Sequence, residues 1–156
     1  MERDIKISEC YLHLGEIGLD NKNYTGAIGD LLECQVVISK MRYDEKLKRR
    51  MAETQYHLGS AYSFEKRYNN AKEHFQSARE VINGILCSQW IKFAESEKES
   101  EKLMSEIAIT QLKDIRTQLN SKLEDIECSI KNEKFNKVQE HLDEKVRFFN
   151  VKSLIF

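Results

Sequence analysis

At 156 residues, with 33% charged and 40% hydrophobic side chains, the chain has the size and composition of one compact or solenoid domain. A formal net charge of -1 excludes the long-range field of a basic nucleic-acid binder and that of a polyanion, so any charge selectivity has to be local. No proline, only six glycines and no sustained run of alternating β-branched residues argue against sheet and for an all-α fold.

The charged start, Met1-Glu2-Arg3-Asp4, leads into amphipathic rather than continuously apolar sequence, so it reads as helix and not as a signal peptide. No apolar run approaches membrane-spanning length, and the expected location is nuclear or cytoplasmic. The first helix is predicted over residues 4–19, with Cys10, Tyr11 and Leu14 on its inner face. A turn at residues 20–23 leads to a second helix, residues 24–40, carrying Ala27, Ile28, Leu31, Leu32 and Val36. Gly26 and Gly29 each cost that helix about 1 kcal/mol against alanine, so it depends on tertiary packing.

After a break near residues 41–45, a longer helix carries Leu47, Met51, Tyr56, Leu58, Ala61 and Tyr62 and ends at Glu65-Lys66-Arg67. Its partner starts at Tyr68 and continues through Phe75, Ala78, Val81, Ile82, Ile85 and Leu86 to Trp90 and Phe93. In the next helix, over residues 101–131, Leu112, Ile115, Leu119, Leu123, Ile126 and Ile130 step by three or four, and Leu103 and Ile107 extend the stripe upstream. At 1.5 Å per residue it spans roughly 45 Å. It is expected to cap the core, with Trp90 and Phe93 beneath it, and the alternative use of its heptad-like stripe is a coiled coil between chains. The tail, residues 132–156, holds Phe135, Val138, Leu142, Val146 and Phe149 at loose helical spacing and ends on an apolar segment that wants a surface to dock on.

Two stretches repeat one spacing. Leu14-Gly15, Tyr24, Ala27, Leu31 and Cys34 return as Leu58-Gly59, Tyr68, Ala71, Phe75 and Ala78, each 44 positions later. Two antiparallel helices approach closely only where small residues lie at their crossing, as Gly59 and Ala71 do, while Tyr62, Tyr68 and Phe75 fill the flanking gaps. The pattern resembles the tetratricopeptide (TPR) hairpin, whose usual period is about 34 residues. The extra ten or so are placed around residues 41–50, lengthening the next helix. The resulting architecture is an α-solenoid: hairpins at about 4–40 and 44–97, a capping helix at about 101–131 completing a domain 1–131, and a partly helical tail.

Three segments go beyond generic TPR positions: Leu14-Gly-Glu-Ile-Gly-Leu-Asp-Asn-Lys-Asn-Tyr24, Met51-Ala-Glu-Thr-Gln-Tyr-His-Leu-Gly-Ser-Ala-Tyr62 and Ile115-Arg-Thr-Gln-Leu-Asn-Ser-Lys-Leu-Glu-Asp125. Together they resemble the nuclear autoantigenic sperm protein (NASP) family of histone chaperones, of the interrupted-TPR type, over residues 7–128. The resemblance implies nuclear escort of core histones of types three and four and a part in nucleosome assembly, with a histone segment held in the TPR groove and no catalysis. Linker histone binding is also associated with the family. The sequence departs from the family pattern in showing neither the earlier repeats nor the long acidic interruption.

On a TPR the concave wall is made by the first helix of each hairpin, at its second, fifth and ninth positions. With each Leu-Gly pair at the seventh and eighth, these are Glu9, Leu12 and Glu16, then Glu53, Tyr56 and Ser60. An acidic groove with apolar patches suits a basic amphipathic helix. Glu53 and Tyr56 lie inside a family-like segment, so the resemblance implies a histone-contact role for them first. The carboxylates argue against the clamp for an acidic carboxyl-terminal peptide, which needs lysine, arginine and asparagine there. Lys46-Leu-Lys-Arg-Arg50 reads as a solvated helix end, with a nuclear-import signal or a phosphate contact as the alternatives.

Cys10, Cys34, Cys87 and Cys128 are widely spaced and read as reduced packing thiols, fitting neither a zinc site nor a disulfide framework. His13 and His57 occupy one repeat position, and a single histidine per repeat points to no metal site. No glycine-rich phosphate loop or nucleophile–base pair marks an enzyme, and no cofactor is expected. The sequence therefore predicts a histone-binding domain with no direct nucleic-acid or membrane partner. A general adaptor for some other basic helix and a homo-oligomerisation module are the alternatives.

Overall fold

The computed structural model describes residues 2–41 and 44–155, with the backbone alone after residue 147. It consists of five helices among these residues: α1 (Glu2–Asp20), α2 (Tyr24–Ser39), α3 (Glu45–Phe64), α4 (Tyr68–Glu95) and α5 (Glu99–Ile155). No described residue lies in a strand, and no described helix is long and apolar enough to cross a membrane. The chain is all-α, with two hairpins, α1–α2 and α3–α4, stacked through α2 and α3, and with α5 laid along α4.

Each hairpin closes on a glycine. A Cβ at Gly15 would stand 2.5 Å from the Leu31 side chain, and one at Gly59 2.8 Å from the Phe75 ring, so the second helix sits where a side chain would otherwise be. Leu31 and Phe75 are repeat mates and fully buried. A Cβ at Gly29 meets nothing, so that residue costs helix propensity without any packing need. Tyr24 stacks on Phe64 with centroids 4.9 Å apart, and the Thr25 hydroxyl donates to Glu65 at 2.7 Å, tying the hairpins together.

The turns repeat as faithfully as the helices. Asn23 N–H donates to Gly18 C=O and Lys22 N–H to Leu19 C=O; 44 positions on, Arg67 N–H donates to Tyr62 C=O and Lys66 N–H to Ser63 C=O. This is the Schellman closure, with Lys22 at φ 59° and Lys66 at φ 60° in the left-handed region that favours glycine. A lysine there carries about 1–2 kcal/mol of strain, partly offset by the greater freedom a glycine loses on folding. Lys66→Gly should therefore raise stability by roughly 0.5–1 kcal/mol in urea titration, and a loss would show that the closure is not strained.

Helix starts are set by side chains. Asn23 accepts from Gly26 N–H at 3.2 Å, and Asp44 accepts from Leu47 N–H at 2.8 Å. Asp44 lets α3 begin at Glu45, which makes Gly59 its fifteenth residue and accounts for most of the lengthened repeat.

Where α3 meets α4, Tyr62 stacks on His74 at 5.1 Å, and the Arg67 guanidinium lies over the Tyr62 ring, 4.6 Å from its centroid. Burial holds the His74 imidazole below its ordinary value of 6.5, against a smaller upward pull from Glu73. The unfolded chain therefore binds this proton at a higher pH than the folded one, so its contribution is complete above about pH 6.5 and is lost as pH falls below it. His74→Gln should flatten the decline in melting temperature between about pH 7.5 and 5.5 relative to the parent; an unchanged decline would assign the dependence to other groups.

Three expectations about packing are corrected. On α1 the inner face is Ser8, Leu12 and Gly15, whereas Cys10 is exposed and Leu14 is 48% exposed. On α5 the inward side begins with Ser105, Ile109 and Leu112, so Leu103 and Ile107 face outward and Ile115 stands at the edge of the buried stripe. Trp90 is not beneath α5 but 46% exposed at its edge, with the Lys113 ammonium over its ring at 5.1 Å and Phe93 against it. Leu112, Leu119, Leu123 and Ile126 do bury against the hairpins, and Lys72 pairs with Glu127 at 2.9 Å. Nor does the helix stop near residue 131: no glycine follows Gly84 and no proline occurs, so nothing in the sequence breaks it, and α5 runs on as one helix of 57 residues. From residue 131 to 147 every side chain is exposed. Phe149 and the apolar ending, residues 151–156, expected to dock, lie outside the described side chains.

Candidate functional site

The concave side of the stack is formed by α3, flanked by α1 and α5. On it lies a cleft of about 430 Å³ lined by Arg49, Ala52, Glu53, Tyr56 and His57 of α3, Ile82 of α4, and Ile115, Gln118 and Leu119 of α5. The walls follow from helix geometry: residues 49, 53, 56 and 57 fall on one stripe of α3, and Ile115 and Leu119 on one stripe of α5. Tyr56 is half-buried, its ring edge-on to Phe75 at 5.7 Å, so the aromatic surface offered to the cleft rests on the most buried ring in the hairpin.

The acidic side lies between α1 and α3. Glu16 accepts contacts from two repeat-related histidines, His13 Nδ1 at 2.9 Å and His57 Nε2 at 3.3 Å. Glu53 joins them: one ligating atom each from Glu16, Glu53 and His57 lies within 4.8 Å of the others. Two carboxylates and an imidazole so placed can receive a cation. Glu53 is exposed and the cluster opens into the groove, which suits a cationic side chain reaching in from a partner.

The six residues proposed from sequence do not all reach this surface. Glu53 and Tyr56 line the cleft, and Glu16 stands next to it. Ser60 is half-buried one turn further on, its hydroxyl donating back to Tyr56 C=O at 3.1 Å. Leu12 is 5% exposed and belongs to the core. Glu9 is taken by an internal partner: Arg50, itself 8% exposed, pairs with it while also donating to Ser8 Oγ at 2.9 Å and Ile5 C=O at 3.3 Å. That bond makes Glu9 part of the joint between hairpins rather than a free groove carboxylate.

The same bond changes the reading of the basic run. Arg50 is buried in the joint and Arg49 pairs with Glu45 at 3.3 Å, so two of its four cations are held within the structure. Glu45 also accepts from Lys92 at 2.9 Å, and these cations, Lys92 first, hold its carboxyl below the usual range. Cys34 is buried, donating to Ser8 C=O at 3.2 Å; burial pushes its thiol up, which fits a packing role.

Ile82, Ile115, Gln118, Leu119 and His57 were not singled out as groove residues from the sequence. The signal for Ile115 was present: it is an apolar residue of the cap stripe that falls out of phase with the inward series Leu112, Leu119, Leu123 and Ile126. Its side chain lines the cleft beside Leu119, one turn further on.

A family model described as SHNi-TPR matches residues 8–34, the first hairpin. Among characterised proteins, Protein HGV2 of Halocynthia roretzi is 46% identical over 124 residues, covering 77% of this chain and 24% of that protein. Histone-binding protein N1/N2 of Xenopus laevis is 36% identical over 81 residues, 52% of this chain and 13% of its own length. The nuclear autoantigenic sperm protein of Homo sapiens is 30% identical over 96 residues, 60% of this chain and 12% of its own length. The chain thus spans about a quarter or less of the relatives it matches.

Proposed function

We propose that this chain, which belongs to the NASP family of SHNi-TPR proteins, is a non-catalytic histone-binding domain that shields a basic amphipathic helix of a core histone in its concave groove. The observation that carries the reading is the pairing of the Glu16–Glu53 carboxylates with the apolar cleft of Tyr56, Ile82, Ile115 and Leu119. A helix with an apolar anchor and an arginine or lysine about one turn away satisfies both at once. The relatives' printed names, a histone-binding protein and a nuclear autoantigenic sperm protein, support the histone as partner class and the nucleus as location.

Within that class the core histones of types three and four are the proposed cargo, in histone escort and nucleosome assembly, with linker histone as a further partner. Glu53, Tyr56 and Glu16 make the contacts. Mixing the chain with a refolded complex of the two core histones and running it on a sizing column tests this. Co-elution that weakens as salt rises is the expected result, and separate elution at low salt would remove the proposal.

A second reading, self-association, is favoured by one observation. Phe135, Val138, Leu142 and Val146 of α5 are 50–68% exposed along a stripe of helical spacing. Sedimentation over a wide concentration range separates the readings, since a persistent monomer contradicts self-association and leaves histone binding intact.

A further inference from the structure

The spacing Glu-x-x-x-His occurs in both hairpins: Glu9 and His13 on α1 return 44 positions later as Glu53 and His57 on α3. Residues four apart lie on one face of a helix, a turn from each other, so each pair presents a carboxylate and an imidazole side by side. The two pairs are used differently. Arg50 takes Glu9, whereas Glu53 forms no hydrogen bond or ion pair with any described residue. The second pair is met instead by Glu16 of α1, whose Oε1 stands 3.3 Å from His57 Nε2. One repeat carries too few donors to hold a metal ion, and stacking the hairpins brings the third.

We propose that Glu16, Glu53 and His57 form a binding site for a divalent transition-metal ion of the zinc class. Their three ligating atoms all lie within 4.8 Å of one another. A tetrahedral ion with bonds of about 2.0–2.1 Å holds its ligand atoms about 3.4 Å apart. Glu16 and His57 already stand at that separation, and Glu53, which is exposed, reaches it by a change of rotamer. The set is also held from behind. His13 Nδ1 donates to the other Glu16 oxygen, Oε2, at 2.9 Å, which leaves Oε1 turned to His57, and the Tyr56 ring lies edge-on to the His57 imidazole with centroids 5.6 Å apart. An imidazole among the donors selects zinc-like ions over magnesium or calcium, which prefer shells of oxygen alone. Electrostatics favours the same occupant: two carboxylates this close repel each other, and Arg49, the cation lining the adjoining cleft, is already paired with Glu45. Three protein ligands leave the fourth position of the ion to water. Bound there, the ion joins α1 to α3 and occupies the carboxylates assigned above to a partner's arginine or lysine; that competition rests on the histone reading, whereas the site itself does not.

The test is a calorimetric titration of the full chain, stripped with a chelator, with zinc and in parallel with magnesium. One equivalent of zinc should bind and raise the melting midpoint by several degrees, and magnesium at the same concentration should do neither. Glu53→Gln and His57→Gln should each weaken zinc binding by roughly tenfold or more, while Cys10→Ser and His141→Gln, at exposed positions away from the site, should bind zinc as the parent does. Glu53 is exposed, so its substitution leaves the metal-free melt unaltered and keeps the result readable even if His57→Gln loosens the stack. No zinc binding by the parent, an equal response to magnesium, or zinc binding that survives both Glu53→Gln and His57→Gln would overturn the proposal. None of these results bears on co-elution with histones in the presence of a chelator, so the metal site and the histone reading fail separately.

Discussion

Phe75→Ala is expected to destabilise the domain by about 3–5 kcal/mol, the largest effect of any single truncation in this chain. The ring is 1% exposed, lies where a Cβ on Gly59 would stand, and meets Tyr56 edge-on at 5.7 Å. Removing it leaves a cavity that the backbone cannot close, because α3 and α4 are already in contact at Gly59 and at Ala71, which is fully buried. Against a total stability of roughly 5–15 kcal/mol for a domain of this kind, such a loss brings the protein close to unfolding at ordinary temperature. Urea titration with a constant slope measures it. A cost below about 1.5 kcal/mol would mean that the hairpin repacks and that Gly59–Phe75 is not its keystone. The same substitution removes the support beneath Tyr56, so any variant that survives should also bind its partner more weakly.

The second large effect concerns binding. Glu16→Gln with Glu53→Gln should weaken association with a basic helix by roughly tenfold or more, about 1.4 kcal/mol or above, with little change in melting temperature. Each carboxylate faces the groove, and charge-assisted hydrogen bonds to a partner's arginine or lysine are among the stronger polar contacts. Glu9→Gln gives the contrast. Its charge is committed to buried Arg50, so it should lower stability, by leaving that guanidinium short of its anionic partner, more than it lowers affinity. If Glu9→Gln weakened binding as much as the groove pair at unchanged stability, the division between joint and groove drawn from the Arg50 bond would be wrong.

Helix order, both turns and the close approach of each hairpin were legible because they depend on local chemistry repeated twice. Gly15 and Gly59 announce where a second helix can come near, and the 44-residue shift carries even the hydrogen bonds of Lys22 to those of Lys66. What the repeat could not reveal is whether a given face has a neighbour. Leu14 and Leu58 are the same residue at the same position, yet one is half in solvent and the other fully buried, because only α3 has a hairpin ahead of it in this structure.

The groove shows the same limit in another form. Register placed Glu9 and Glu53 on equivalent positions, but Arg50 arrives from the adjacent hairpin and neutralises only Glu9. Glu16 gained meaning from His13 and His57, which sequence alone treated as isolated imidazoles. The apolar wall was missed because Ile82 and Ile115 come from helices far along the chain, and their convergence on Tyr56 depends on how α5 crosses α4. The long extent of α5 follows from an absence of breakers after Gly84, a signal outweighed by the expectation that a cap ends with the body it covers.

The most direct test of the groove as a histone site is a calorimetric titration of the chain with a type-three histone helical peptide and, in parallel, with an acidic chaperone-tail peptide, at low and moderate salt. Binding of the histone peptide alone, weakening as salt rises, is the predicted result. No binding of the histone peptide at low salt, or a preference for the acidic peptide, would contradict the assignment.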